Sequence, residues 1–175
     1  MNGIGDENGN IVWGGSETKT WTERYFLNNS SDGISVESDL TGTGYVDAVV
    51  KYGNNHVPYL DGNITYNGLS RHIISGLTQN DEYVDKAQIP KGEYYADPMR
   101  LPNDPANYDK MTDADGNVWF IPISSDESKN AGWTGLGIHP APFGFTAGCP
   151  GVTNADDSLY DMLIKYPLLK LEIRY

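Results

Sequence analysis

Turn-forming residues punctuate this chain so densely that its apolar runs are only about four to eight residues long. ISVESDL (34–40), YVDAVVK (45–51), HVPYL (56–60), NITY (63–66), HIISG (72–76) and NVWFIPIS (117–124) are separated by GTG, GNN and DG turn signals. Runs of that length, rich in β-branched and aromatic residues and bounded by Gly and Asn, fit short strands better than helices. Twenty glycines, ten prolines and 12 tyrosines in 175 residues point the same way. DENGNIVW (6–13) and DADGNVWF (113–120) each place a glycine turn before an apolar run, the strongest short-range hairpin signal. The second also offers Asp113, Asp115 and Asn117, but Gly116 stands in the wrong place for a calcium loop and no glutamate closes twelve residues. SETKTWTERYFLNN (16–29) fits a helix or a strand equally poorly, and both readings stay open.

One segment reads as a helix. NADDSLYDMLIKY (154–166) offers Asn154 as N-cap, acids in the first turn, and Leu159, Met162, Leu163 and Tyr166 at helical spacing. Pro167 ends it before a strand in LLKLEIRY. At this length one domain covering 1–175 is expected.

Charge narrows the partners. Twelve Lys and Arg stand against 24 Asp and Glu, a formal net charge of −12, which disfavours phosphate backbones and anionic membranes. No nucleic acid and no membrane partner is therefore expected. The segment MNGIGDENGNIVWGG has no basic head or apolar run, and nowhere do 18 apolar residues follow one another, so neither a signal peptide nor a membrane helix is read. One cysteine makes no internal disulfide, and there is no CxxC or HExxH spacing, so no metal site and no cofactor are expected.

That single cysteine lies in GIHPAPFGFTAGCPGV (137–152), ten residues after His139. A thiol needs a base or a positive dipole to attack at neutral pH, and His139, at the end of an apolar run, supplies a base. Thr146, Ala147, Gly148, Pro150 and Gly151 put Cys149 on a tight turn with little bulk around it. Pro150 has no N–H, so oxyanion donors would come from Cys149, Gly148 or a neighbouring segment. Residue types alone leave a nucleophile and a buried structural cysteine both open.

His-Pro, then Thr-x-Gly-Cys ten residues after the histidine, then a capped helix and a terminal strand, resembles the L,D-transpeptidase (YkuD-like) catalytic domain. HIISG (72–76) and AQIPKGEYYA (87–96) resemble that family's strand carrying Ser-Gly and its following turn and strand. The likeness covers about 70–175 and is nearest to compact effector- or phage-type members; 1–69 reads as a β-rich part without family signal. The resemblance implies a mainly β fold, a β-sandwich with one helix near the C-terminus. It implies Cys149 as nucleophile, His139 as base and then acid, and Gly148 and Thr146 in motif positions near the oxyanion. The substrate implied is a peptidoglycan stem peptide, in transpeptidation, exchange or carboxypeptidase action through a thioester. Two departures stand out: Ala147 replaces the motif's second histidine, and Gly151 replaces its usual arginine or asparagine.

A cation for an anionic substrate group would then come from elsewhere, with Arg71, Arg100 and Lys91 as candidates. Phe143 and Phe145, in the PAPFGF loop, and Trp133, in AGWTGLGIHP, are candidate cleft walls. His72, in an alternating strand, reads first as a packed or solvated residue. Action in the periplasm or cell wall after delivery by a secretion system or phage is the implied setting, with a delivery or immunity protein as partner. Two further readings stand beside it: an inactive wall-binding or phage structural module, and a related cysteine endopeptidase.

Overall fold

The computed structural model describes residues 2–5, 11–14, 42–53, 56–76 and 88–175. The chain divides into two compact units, Met1–Gly42 and Thr43–Tyr175. In the first, β1 (Asn2–Gly5) and β2 (Ile11–Gly14) pair antiparallel with Gly5 opposite Ile11; the Asn8-Gly9 turn signal itself lies outside the described residues. The segments 16–29 and 34–40 lie outside the described residues.

The second unit holds β3 (Thr43–Tyr52), β4 (Pro58–Tyr66), β5 (Leu69–Ser75), β6 (Gly92–Ala96), β7 (Ile121–Ser124), β8 (Gly137–Pro140), β9 (Gly151–Val152) and β10 (Lys170–Arg174). Around the sheet they run β10-β3-β4-β5-β9-β8-β7-β6, and β6 pairs with β10 to close a barrel. This corrects the expected β-sandwich. Two parallel pairs, β3 with β10 and β8 with β9, link strands far apart in the chain, and closure leaves none of the eight without two neighbours.

Alternation fills the interior. Leu171 and Ile173 of β10, Ile121 and Ile123 of β7, Ile64 and Tyr66 of β4, and Ile73 of β5 point into one apolar core while the residues between them are more exposed. β4 runs unbroken through Asp61-Gly62, where a turn was expected between HVPYL and NITY. The glycine serves a close approach instead: a Cβ there would lie 2.4 Å from the Ala48 Cα on β3. NVWFIPIS contributes a strand only from Ile121; Val118 and Phe120 make single bridges, to Thr112 and Arg100.

The one-helix expectation is corrected as well. α1 (Asp126–Asn130) is a single turn closed by a reciprocal Ser125–Ser128 capping box, and α2 (Asp157–Lys165) is the helix read from the sequence. Short 3₁₀ turns occupy Pro105–Asn107 and Asp109–Met111. The N-cap of α2 is Asp156, whose carboxylate accepts the Leu159 N–H at 3.0 Å, and not Asn154. Asn154 instead accepts the His72 backbone N–H at 2.8 Å, tying the approach to α2 onto β5. Among the described residues no helix is long and apolar enough to cross a membrane.

Candidate active site

β8 and β9 set the site. Their parallel register places His139 opposite Gly151, two residues beyond Cys149, so a ten-residue separation in sequence becomes adjacency across the barrel wall. All four residues of β8 are buried, which puts the His139 ring in an apolar seat; it stacks on Phe120 with centroids 6.1 Å apart and planes 18° from parallel.

His139 Nδ1 donates to the Pro140 carbonyl at 2.7 Å. That fixes the tautomer, because a proton on Nδ1 leaves Nε2 as the basic nitrogen. A backbone carbonyl thus does the orienting that a carboxylate performs in many triads, a role that no residue pattern marks. Burial holds the imidazole below its ordinary value of 6.5, opposed by the Pro140 bond, so the ring is neutral at physiological pH. Cys149 is half-buried; burial pushes its thiol above its ordinary value of 9.0, while the Gly137 backbone pulls the other way. The resting pair is therefore thiol and neutral imidazole.

Both side chains line one cavity of about 320 Å³, together with Phe145, Thr146 and Ala147. Its other wall is Asn107, Lys110 and Met111, from the 3₁₀ turns. The thiol is turned toward the Gly135 carbonyl at 3.8 Å and makes no hydrogen bond to His139. Transfer of its proton to Nε2 requires the thiol to leave the Gly135 carbonyl.

The turn that carries Cys149 is braced from β5. Thr146 Oγ1 donates to the Cys149 carbonyl at 2.6 Å and accepts the Gly76 N–H at 3.2 Å. Ser75 Oγ donates to the Gly148 carbonyl at 2.8 Å and accepts the Ile89 N–H at 3.0 Å. Thr146 and Ser75 are thus loop braces with their hydroxyls fully engaged. No described residue accepts the backbone N–H of Gly148 or Cys149.

Gly151 has a packing reason. A Cβ there would stand 2.3 Å from Thr146 Cγ2 and 2.6 Å from Ala141 Cβ, so no side chain fits on β9 where the resemblance expects a basic residue. Arg71 is committed elsewhere: its guanidinium grips Asp156 at 2.7 and 2.9 Å and donates to the Ser70 carbonyl. Lys91 lies over the Tyr175 ring, and its backbone N–H donates to the Tyr175 hydroxyl. Arg100 lines a neighbouring cavity of about 200 Å³.

Of the aromatic candidates, Phe145 walls the Cys149 cavity. Phe143 is 61% exposed outside it and stacks on Phe145 at 6.2 Å. Trp133 packs against the barrel core and lines neither cavity. His72 bonds Thr153 and Asp61 on the barrel wall rather than entering either cavity. Sequence reasoning missed Asn107, Lys110 and Met111, since LPNDPANYDKM carries no strand period and its Pro and Asn read simply as loop. Among the described residues no three His, Cys, Asp or Glu side chains gather to hold a metal ion. No family model, curated protein or solved structure matches this chain.

Proposed function

We propose that this protein is a cysteine acyltransferase of the L,D-transpeptidase type, acting on peptidoglycan stem peptides in the periplasm or cell wall after delivery there. The observation that carries the reading is the shared cavity: a tautomer-fixed, neutral His139 and the only cysteine of the chain face one substrate-sized space. In the first step Nε2 of His139 takes the Cys149 proton as sulfur attacks the carbonyl of the L-centred donor residue, forming the S–C bond. The backbone N–H groups of Gly148 and Cys149 are the donors for the oxyanion in this scheme. Collapse breaks the C–N bond, and the Nε2 proton passes to the departing D-amino acid amine. Water, a free D-amino acid or a stem-peptide amine then releases the thioester as acid, exchanged peptide or cross-link.

The test is mass spectrometry of disaccharide-tetrapeptides incubated with wild-type protein and with Cys149→Ala, with and without an added D-amino acid. Loss or replacement of the terminal D-alanine in the wild type alone is the expected result. The thiol's present bond to Gly135 and its raised pKa favour a second reading, a catalytically silent wall-binding module. Unchanged muropeptides with folded, reduced wild type select it. Internal cleavage of a cross-linked dimer would mark a related endopeptidase.

A further inference from the structure

A chain of net charge −12 repels anionic ligands unless cations are placed where the ligand must sit. Three arginines are described. Arg71 is paired with Asp156 and Arg174 with Glu172. Arg100 alone has no carboxylate partner among the described residues: its guanidinium donates to the Asn103 amide oxygen and lies 5.8 Å above the Phe120 ring.

That ring also stacks on His139, so Phe120 is the neighbour that Arg100 and His139 share. The Arg100 cavity shares Asn107 and Met111 with the Cys149 cavity. It also includes Gly135, whose carbonyl receives the thiol. Cys149 thus stands at the seam of two adjoining spaces, one walled by Lys110 and the other by Arg100. Asp104 shares the second wall, its Oδ1 accepting the Ala106 N–H at 3.0 Å, so Arg100 acts there beside one carboxylate with which it forms no ion pair.

We propose that these two cavities form one carboxylate-reading cleft, with Lys110 and Arg100 as its specificity-determining residues. The cleft takes acyl substrates that carry free carboxylates beside the reacting carbonyl. Arg100 offers the planar fork that suits a carboxylate, and Lys110 a point charge. Gly151 leaves no room for a cation on β9, and the segment 100–110 supplies both from the opposite wall. The proposal rests on Cys149 and His139 being the reacting pair, yet its test does not need turnover.

The probe is the alkylation rate of Cys149 by iodoacetate against neutral iodoacetamide at low salt, normalised to the same ratio for N-acetylcysteine. Because Cys149 is the only cysteine, loss of free thiol reads one site. The normalised ratio is expected above one, to fall at least threefold in Lys110→Gln and in Arg100→Gln, and to stay unchanged in Lys91→Gln. Circular dichroism shows that each variant keeps its fold. A fall in only one cleft variant, or in neither, overturns the proposal. Muropeptide turnover that fails while the ratio behaves as stated would instead sink the transpeptidase reading and leave the carboxylate cleft standing.

Discussion

Two histidines stand on the strands that flank β9, and their surroundings are opposite. His72, on β5, is half-exposed and uses both ring nitrogens: Nδ1 meets Thr153 Oγ1 at 2.6 Å, and Nε2 meets Asp61 Oδ1 at 2.9 Å. Asp61 in turn holds Lys51 at 2.7 Å; that bond, with His72 adding to it, keeps the carboxyl below the usual carboxylate range. His139, on β8, is buried and uses one nitrogen, on its own neighbour's carbonyl. Under the proposed function, the difference separates a tie from a tool. A Thr–His–Asp chain looks catalytic on paper, but no described cavity opens on it and every polar atom has a partner. A ring with a spare nitrogen beside a cavity retains something to do.

The largest effect should therefore come from His139→Gln. Turnover should fall by about 10²- to 10⁴-fold with the fold intact, because a positioned base is lost. His72→Asn should leave turnover nearly unchanged in the same assay, and parity between the two variants would break the comparison. The pH profile sharpens it. Only the neutral ring accepts the thiol proton, and burial lowers the His139 pKa, so the acid limb of kcat/KM should lie below 6.5. Stability follows the same sign: the unfolded chain takes up that proton near 6.5 and the folded one resists, so this site's contribution is full above that pH and falls below it. Denaturant titrations between pH 7 and 5 would show the slope in wild type and its loss in His139→Gln.

Next in size is Gly151→Asn, which restores a side chain that the resemblance expects. Overpacking against Thr146 and Ala141 should cost about 1–3 kcal/mol or more and lower Tm, rather than raise activity. Thr146→Val removes the hydroxyl that joins Gly76 to the Cys149 carbonyl. It should cost about 1–3 kcal/mol, with hydrogen exchange quickening at Gly76. The smallest effect belongs to the His72 network: Asp61→Asn breaks partly solvated pairs and should shift stability by about 1 kcal/mol or less in urea titrations.

Local patterns carried much of this architecture. The runs at 45–51 and 72–76, the terminal strand and the helix around Leu159 and Leu163 all lie where period and turn chemistry put them. Barrel closure did not show, because β6 with β10 and β8 with β9 pair across long stretches of chain, and no local pattern encodes such pairing. Asp61-Gly62 misled for a related reason: its glycine answers to Ala48 on another strand. The shift of the N-cap from Asn154 to Asp156 is likewise tertiary, fixed by Arg71 on one residue and the His72 backbone on the other. At the site, His139 and Cys149 were legible because the motif is local. Lys110, Asn107 and the Pro140 carbonyl were not, since a 3₁₀ turn and a backbone acceptor leave no mark in residue pattern.

The most direct measurement is peptide mapping by mass spectrometry after rapid acid quench of wild-type protein mixed with a tetrapeptide donor. An acyl mass on the peptide containing Cys149, removed by hydroxylamine and absent from Cys149→Ala, is the predicted result. Product formed while Cys149 stays unmodified, or turnover that survives in Cys149→Ala, would contradict the assignment of that thiol as nucleophile.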